Sequence, residues 1–160
     1  MQPTASRIPW ASNYFFEWDW GCQLLHRVLY LKGMKKKRVF KLKTFARWAK
    51  KILTDDQLCE AAREIMAGQY EADLGNGVCK KRIAIEGRGK SGSTRTLVAK
   101  SSPHGIFFMV GRSKSDPGTD FSAKEVAQAI LLAGDLEAAN RQEIEVAIEA
   151  GYIKEICNDC

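Results

Sequence analysis

Residues 78–112 constrain the chain more than any other stretch. Val78-Cys-Lys-Lys-Arg-Ile-Ala-Ile85, Thr94-Arg-Thr-Leu-Val-Ala-Lys100 and Ile106-Phe-Phe-Met-Val-Gly-Arg112 are short runs rich in apolar and β-branched residues, a composition that fits a pleated, half-buried strand. The links between them, GRGKSGS and Ser101-Ser-Pro-His-Gly105, are turn chemistry, and Leu74-Gly-Asn-Gly77 supplies a further turn just ahead. Three consecutive strands with short connections predict an antiparallel meander.

Helices flank the meander. Arg38-Val-Phe-Lys-Leu-Lys43 alternates as a strand, with Val39 and Leu42 toward the core. Thr44 is placed to cap a helix bearing Phe45, Trp48, Ala49 and Ile52 at helical spacing. Thr54-Asp-Asp-Gln57, Ser122-Ala-Lys-Glu125 and Asn140-Arg-Gln-Glu143 each match a capping box, in which the cap side chain and the residue three later satisfy each other's backbone N–H. Gly68 stops the first of these helices. The order βααβββαα predicts an α+β fold: an N-terminal strand and helical hairpin, the antiparallel meander and C-terminal helices, in one layer of sheet and one of helices.

The charge is unevenly spread. Residues 34–53 hold nine Lys/Arg and no acid, residues 80–119 hold nine against two, and residues 120–160 hold three against nine. If the basic segments meet in the fold they make a patch for phosphates. The nonapeptide Gly87-Arg-Gly-Lys-Ser-Gly-Ser-Thr-Arg95 ends its GKS like a phosphate-binding loop, but Ala84 stands where the first glycine is required and a strand-like run follows instead of a helix. The loop reads instead as a glycine-rich cationic turn, which fits a plain soluble connection as well as the rim of a binding face.

Few other chemistries are open. His26 and His104 are the only histidines; His104 reads as a turn residue. Asp55 and Asp56 are accounted for by a helix N-terminus. Five scattered cysteines fit a reducing cytoplasm better than a secreted disulfide framework, and Cys157-Asn-Asp-Cys160, with no second pair to complete a zinc site, reads as a tail. No apolar run approaches a membrane span and the first residues lack the pattern of a signal peptide, so the expected location is the cytoplasm. Residues 1–33 hold seven of the fifteen aromatics without a clear period, and Met34-Lys-Lys-Lys-Arg38 resembles a native start. The first 33 residues are thus expected to be an upstream extension from an early start codon, with the domain running over 34–160.

Strand alternation sends Lys80 and Arg82 to one face and Lys81 to the other. Arg88, Lys90 and Arg95 follow the loop, and Arg112 and Lys114 close the last strand. Such a rim would anchor an RNA backbone and could stabilise the pentavalent phosphorane formed when a ribose 2′-hydroxyl attacks its own phosphodiester. RNA carries its own nucleophile, so cleavage needs alignment, charge stabilisation and a weak base, for which a lysine among like charges would serve.

These residues carry a family resemblance. The basic first strand, FARWAKK, ADLGNGVCKKRIAIEGRGKSGSTRTLVA, FFMVGRSKSD and the closing AGYIKEIC are similar to the RelE/HigB-like toxins of bacterial type II toxin–antitoxin systems, over residues 34–160. The resemblance implies a RelE-like α+β fold and a metal-independent mRNA endoribonuclease, an mRNA interferase that acts on ribosome-bound mRNA to inhibit translation, without a cofactor. The implied partners are a cognate DNA-binding antitoxin, mRNA and the ribosome. It implies catalytic roles for Arg82, Arg95 and Lys114 and RNA contact for Lys80, Lys81, Arg88, Lys90 and Arg112, with proton transfer open to Lys81, Lys90 or Lys114. Many relatives carry an aromatic residue where this chain has Arg112. The same architecture also serves ParE-like poisons of DNA gyrase and nonenzymatic RNA-binding homologues, and these alternatives stand beside the nuclease.

Overall fold

A computed structural model describes residues 37–88 and 92–157. The proposed extension 1–33, Lys90 and Cys160 lie outside the described residues. Ten elements follow in order: β1 (Arg38–Leu42), α1 (Lys43–Ala49), α2 (Asp55–Met66), β2 (Ala72–Gly75), β3 (Val78–Ala84), β4 (Ser93–Ala99), β5 (Gly105–Arg112), α3 (Ala123–Ala138), α4 (Arg141–Glu149) and β6 (Ile153–Ile156). The strands form one mixed sheet in the order β2-β3-β4-β5-β1-β6, in which β1 runs parallel to β5 and the other pairs are antiparallel.

The meander of β3, β4 and β5 is present, and all three capping boxes form. Gly68 follows α2 at φ +84°, a left-handed conformation that ends the helix. Thr44, in contrast, does not cap α1, which starts at Lys43 after Leu42 without a side-chain cap. The expected turn at Leu74-Gly-Asn-Gly77 is present: Gly75, Asn76 and Gly77 all take positive φ, and Asn76-Gly77 joins β3 to an additional edge strand, Ala72–Gly75.

The expected single layer of helices is wrong; helices cover both faces of the sheet. Val39, Cys79, Ile83, Val98, Ile106 and Phe108 pack with Phe45, Leu58, Ala62 and Ile65 of α1 and α2. Phe40, Val78, Leu97, Phe107, Met109 and Ile153 pack with Ala129, Ala133 and Ile144 of α3 and α4. A strand buried on both faces needs apolar residues at successive positions, which is why Val39 and Phe40 are both buried and why β5 is apolar almost throughout. The stacked rings of Phe40 and Phe107, 4.7 Å apart, join β1 to β5 on the second face.

β6 closes the sheet beside β1, and polar contacts fix it there. Arg38 donates from Nε and Nη2 to the two carboxylate oxygens of Glu155, at 2.8 and 2.7 Å, and from Nη1 to Glu145 at 2.8 Å. A fork-to-fork pair of this kind fixes orientation as well as distance. Just after β6, Cys157 is joined to Cys59 of α2 by a disulfide, with Cα atoms 5.7 Å apart. The reading of Cys157 as part of a tail is therefore corrected: its partner lies 98 residues earlier in the chain. Cys79 is a buried free thiol, and desolvation pushes its pKa up to about 12, which keeps it protonated and unreactive.

Candidate functional site

Three arginines stand in one row across the sheet. Arg82 of β3 pairs in register with Arg95 of β4, and Arg95 with Arg112 of β5. A bulge makes the third member possible. The β4–β5 pairing runs Ala99↔Phe107, Val98↔Phe108 and then Leu97↔Val110, so Met109 is an extra residue in β5. Because side chains alternate, one inserted residue exchanges the faces beyond it. Gly111 turns toward α1, where the Trp48 ring lies so close that a Cβ would collide with it. Arg112 turns to the face that already carries Arg82 and Arg95.

Like charges placed directly opposite one another weaken a sheet, and among the described residues no carboxylate forms an ion pair with these three side chains, although the Glu71 carboxylate accepts from the Arg82 backbone N–H at 2.5 Å and Asp120 and Glu125 lie within the fields of Arg95 and Arg112. Arg95 Nη1 donates to the Thr119 carbonyl; Arg112 Nη2 donates to the carbonyls of Pro117 and, at 3.2 Å, Asp116. The Arg82 side chain is exposed and makes no hydrogen bond or ion pair among the described residues. The bracing loop is itself folded back, with the Asp116 carboxylate accepting from the Ser113 N–H at 2.7 Å. Where the loop enters α3, Asp120 pairs with Lys80. The Lys80 ammonium and the Phe121 N–H hold the Asp120 carboxyl below the usual carboxylate range, with Arg95 adding a favourable field.

Beside the row lies a cleft of about 420 Å³ lined by Arg82, Ser93, Arg95, Arg112, Ser113 and Lys114, with Gly118 and Thr119 at its edge. Four of the cations singled out in the sequence thus meet at one place. Lys80 shares their face but is engaged by Asp120. Lys81 does not share it: it lies on the opposite face, 6% exposed, ion-paired with Glu64 at 2.5 Å and donating to the Gln69 carbonyl at 3.0 Å. Its charge ties the end of α2 to β3, so the expectation of RNA contact for Lys81 is not supported by its placement. Arg88 is exposed on the far side of Ser93 and does not line this cleft. His104 sits away from it, with Nε2 2.7 Å from the Ala139 carbonyl, joining the β4–β5 turn to the end of α3.

The residues missed in the sequence are Ser93 and Ser113, which line the cleft, and the carbonyls of residues 116, 117 and 119, which orient its arginines. A backbone acceptor leaves no mark on residue type. The only local signal was Asp116-Pro-Gly118, turn chemistry directly after a basic strand end.

A mixed sheet between two helical layers, with a cationic cleft at the ends of its central strands, defines a small α+β protein with one strongly basic face. The chain belongs to the RelE toxin family: the family described as RelE toxin of RelE / RelB toxin-antitoxin system matches residues 37–156, the whole of the domain from β1 through β6. No curated protein matches it. Membership makes the chain a toxin of a toxin–antitoxin system and implies an antitoxin partner. Among the described residues no helix is long and apolar enough to cross a membrane.

Proposed function

We propose that the protein is an mRNA endoribonuclease acting in the cytoplasm on ribosome-bound mRNA, and that its toxicity is the resulting arrest of translation. The observation that carries this reading is the unneutralised row Arg82, Arg95 and Arg112 meeting Lys114 in one open cleft. Cations that face one another without direct carboxylate partners favour the binding of a polyanion, and RNA is the polyanion that brings its own nucleophile.

In the proposed reaction the 2′-oxygen of the substrate attacks the adjacent phosphorus as its proton passes to water, the bond to the 5′-oxygen breaks as that oxygen takes up a proton, and a 2′,3′-cyclic phosphate and a 5′-hydroxyl result. Arg82 and Arg95 stabilise the extra negative charge on the non-bridging oxygens of the phosphorane. Arginine does not give up its proton in this range, so proton transfer to the leaving oxygen falls to Lys114 or to water. The Arg112 guanidinium is held by two carbonyls. It acts here as part of the anion-binding row.

The test is primer extension on an mRNA in a reconstituted translation reaction, with the full chain as wild type or Arg95→Ala, with and without active ribosomes. New 5′ ends made only by the wild type and only during translation are expected. Intact mRNA in every lane, with folded protein, would refute the nuclease and direct attention to a DNA gyrase cleavage-complex assay.

A further inference from the structure

A second cavity, of about 520 Å³, lies against the first. Its own lining is Lys51, Ile52, Ile85, Arg88 and Ser115, and it shares Ser93, Ser113 and Lys114 with the arginine cleft. The shared residues mark the ends of the central strands, for Ser93 opens β4 and Ser113 and Lys114 follow β5. Lys51 and Ile52 belong to the turn after α1, on the opposite side of the sheet from the arginine row. One groove therefore passes over the strand ends from one face to the other, with Lys114 at its middle.

The chemistry changes along it. The first part is almost wholly cationic and hydroxylic. The second presents two half-buried isoleucines, each on braced backbone: Ile52 donates its N–H to Ala49 at 2.9 Å, and Ile85 donates to Gly92 at 3.1 Å and accepts from Arg88 at 3.2 Å. Lys51, Arg88 and Lys114 surround them. No acidic side chain lines either part. A single phosphate would use only the first part; the whole groove suits a chain whose anionic and flat apolar groups alternate, with hydroxyls between.

We propose that the groove holds two successive nucleotides of an RNA chain: one phosphodiester at Arg82, Arg95 and Lys114, and the neighbouring base on Ile52 and Ile85 with its phosphate between Lys51 and Arg88. The proposal rests on the ribonuclease reading for the identity of the chain and adds where the second nucleotide lies. Apolar contact of a base with the two isoleucine side chains removes area from water without reading the base edges, so it supplies affinity that tolerates any base.

The test uses the full chain and fluorescein-labelled 2′-O-methyl oligoribonucleotides of one to four residues, uncleavable because the nucleophile is capped, with inorganic phosphate as a competitor. Adding the second nucleotide is expected to tighten binding by about fivefold or more. Lys51→Ala and Ile85→Ser should remove that gain and leave the mononucleotide unaffected, whereas Arg95→Ala should weaken every length. Lys51 is exposed, so its variant reports on binding without a folding cost. If Arg95→Ala weakens binding but Lys51→Ala and Ile85→Ser leave the length dependence intact, the second seat is refuted and the RNA reading stands. If no oligonucleotide outcompetes phosphate and Arg95→Ala has no effect, the RNA reading falls first. Direct binding of a fluorescein-labelled peptide of alternating glutamate and leucine, with no binding of the oligonucleotides, would give the groove to a protein partner and overturn the proposal.

Discussion

Arg82→Gln separates function from stability in a way few substitutions in a core strand could. Arg82 lies directly opposite Arg95, and at a cross-strand distance of about 5 Å two unit charges repel by ~0.8 kcal/mol in water and ~3 kcal/mol at an effective dielectric constant of 20. Both side chains reach into solvent, so the measured range for opposed charges, ~0.2–1 kcal/mol, is the better guide. The Arg82 side chain has no hydrogen bond or ion pair among the described residues to offset that repulsion. Replacing it with the shorter, neutral glutamine keeps a polar group and removes the charge, and is expected to raise stability by ~0.5 kcal/mol and Tm by about 2 °C in a domain of this size. The gain should shrink in high salt, which screens exposed charges. Added phosphate should stabilise the wild type more than the variant. Cleavage should fall by roughly 10²-fold, the loss typical of one group that stabilises transition-state charge. Calorimetry at low and high ionic strength tests the stability half directly. A drop in Tm of several degrees, or a gain that persists unchanged in 1 M salt, would show that Arg82 supports the fold and that repulsion in the row is not its dominant energy.

Three further outcomes follow from the fold. Reducing the Cys59–Cys157 disulfide opens a constraint spanning 98 residues, for which chain entropy gives about 4.7 kcal/mol and disulfides typically give about 2–4 kcal/mol; denaturation midpoints with and without a phosphine reductant should differ accordingly, and identical midpoints would exclude the tether. Gly111→Ala drives a methyl group into the Trp48 ring and should cost about 1–3 kcal/mol, read as a lower midpoint with a changed tryptophan emission, while an unchanged midpoint would mean that Trp48 can move aside freely. The Glu155 carboxyl is held below the usual carboxylate range, first by its hydrogen bonds from Arg38. A depressed folded pKa gives stability that is complete above the unfolded value and lost as pH falls through the folded one. The wild type should therefore lose stability on acidification below about pH 4.5 more steeply than Glu155→Gln, and parallel curves would count against the Arg38 clamp.

The elements of this fold were readable from residue types where local chemistry decides them. The three capping boxes and the meander each follow from a few neighbouring residues, as does the opposition of Lys80 and Arg82 to Lys81. What could not be read depends on distant parts of the chain. Alternation placed Lys81 on the other face, but only the packing of α2 shows that Glu64 and the Gln69 carbonyl wait there. Cys157 belongs to a C-x-x-C in sequence, yet its bond is to Cys59, because β6 lies beside β1 and its end comes against α2. The parallel seat of β1 beside β5, which places a buried strand in mid-sheet, has no local signature beyond two adjacent apolar residues, Val39 and Phe40.

The site depends on one residue that is not in it. With an unbroken register Arg95 would face Gly111, and Arg112 would point toward α1 and Trp48; the extra Met109 moves Arg112 into the row and leaves the glycine under the indole ring. The same economy governs what orients the arginines. A carboxylate would fix a guanidinium firmly but cancel its charge, as Asp120 does for Lys80 at the edge of the face. Arg95 and Arg112 are instead fixed by the carbonyls of residues 116, 117 and 119, dipoles that orient without neutralising. The cleft thus keeps two of its three guanidinium groups in a set geometry while all three retain their charge, and an entering anion would relieve the repulsion among them.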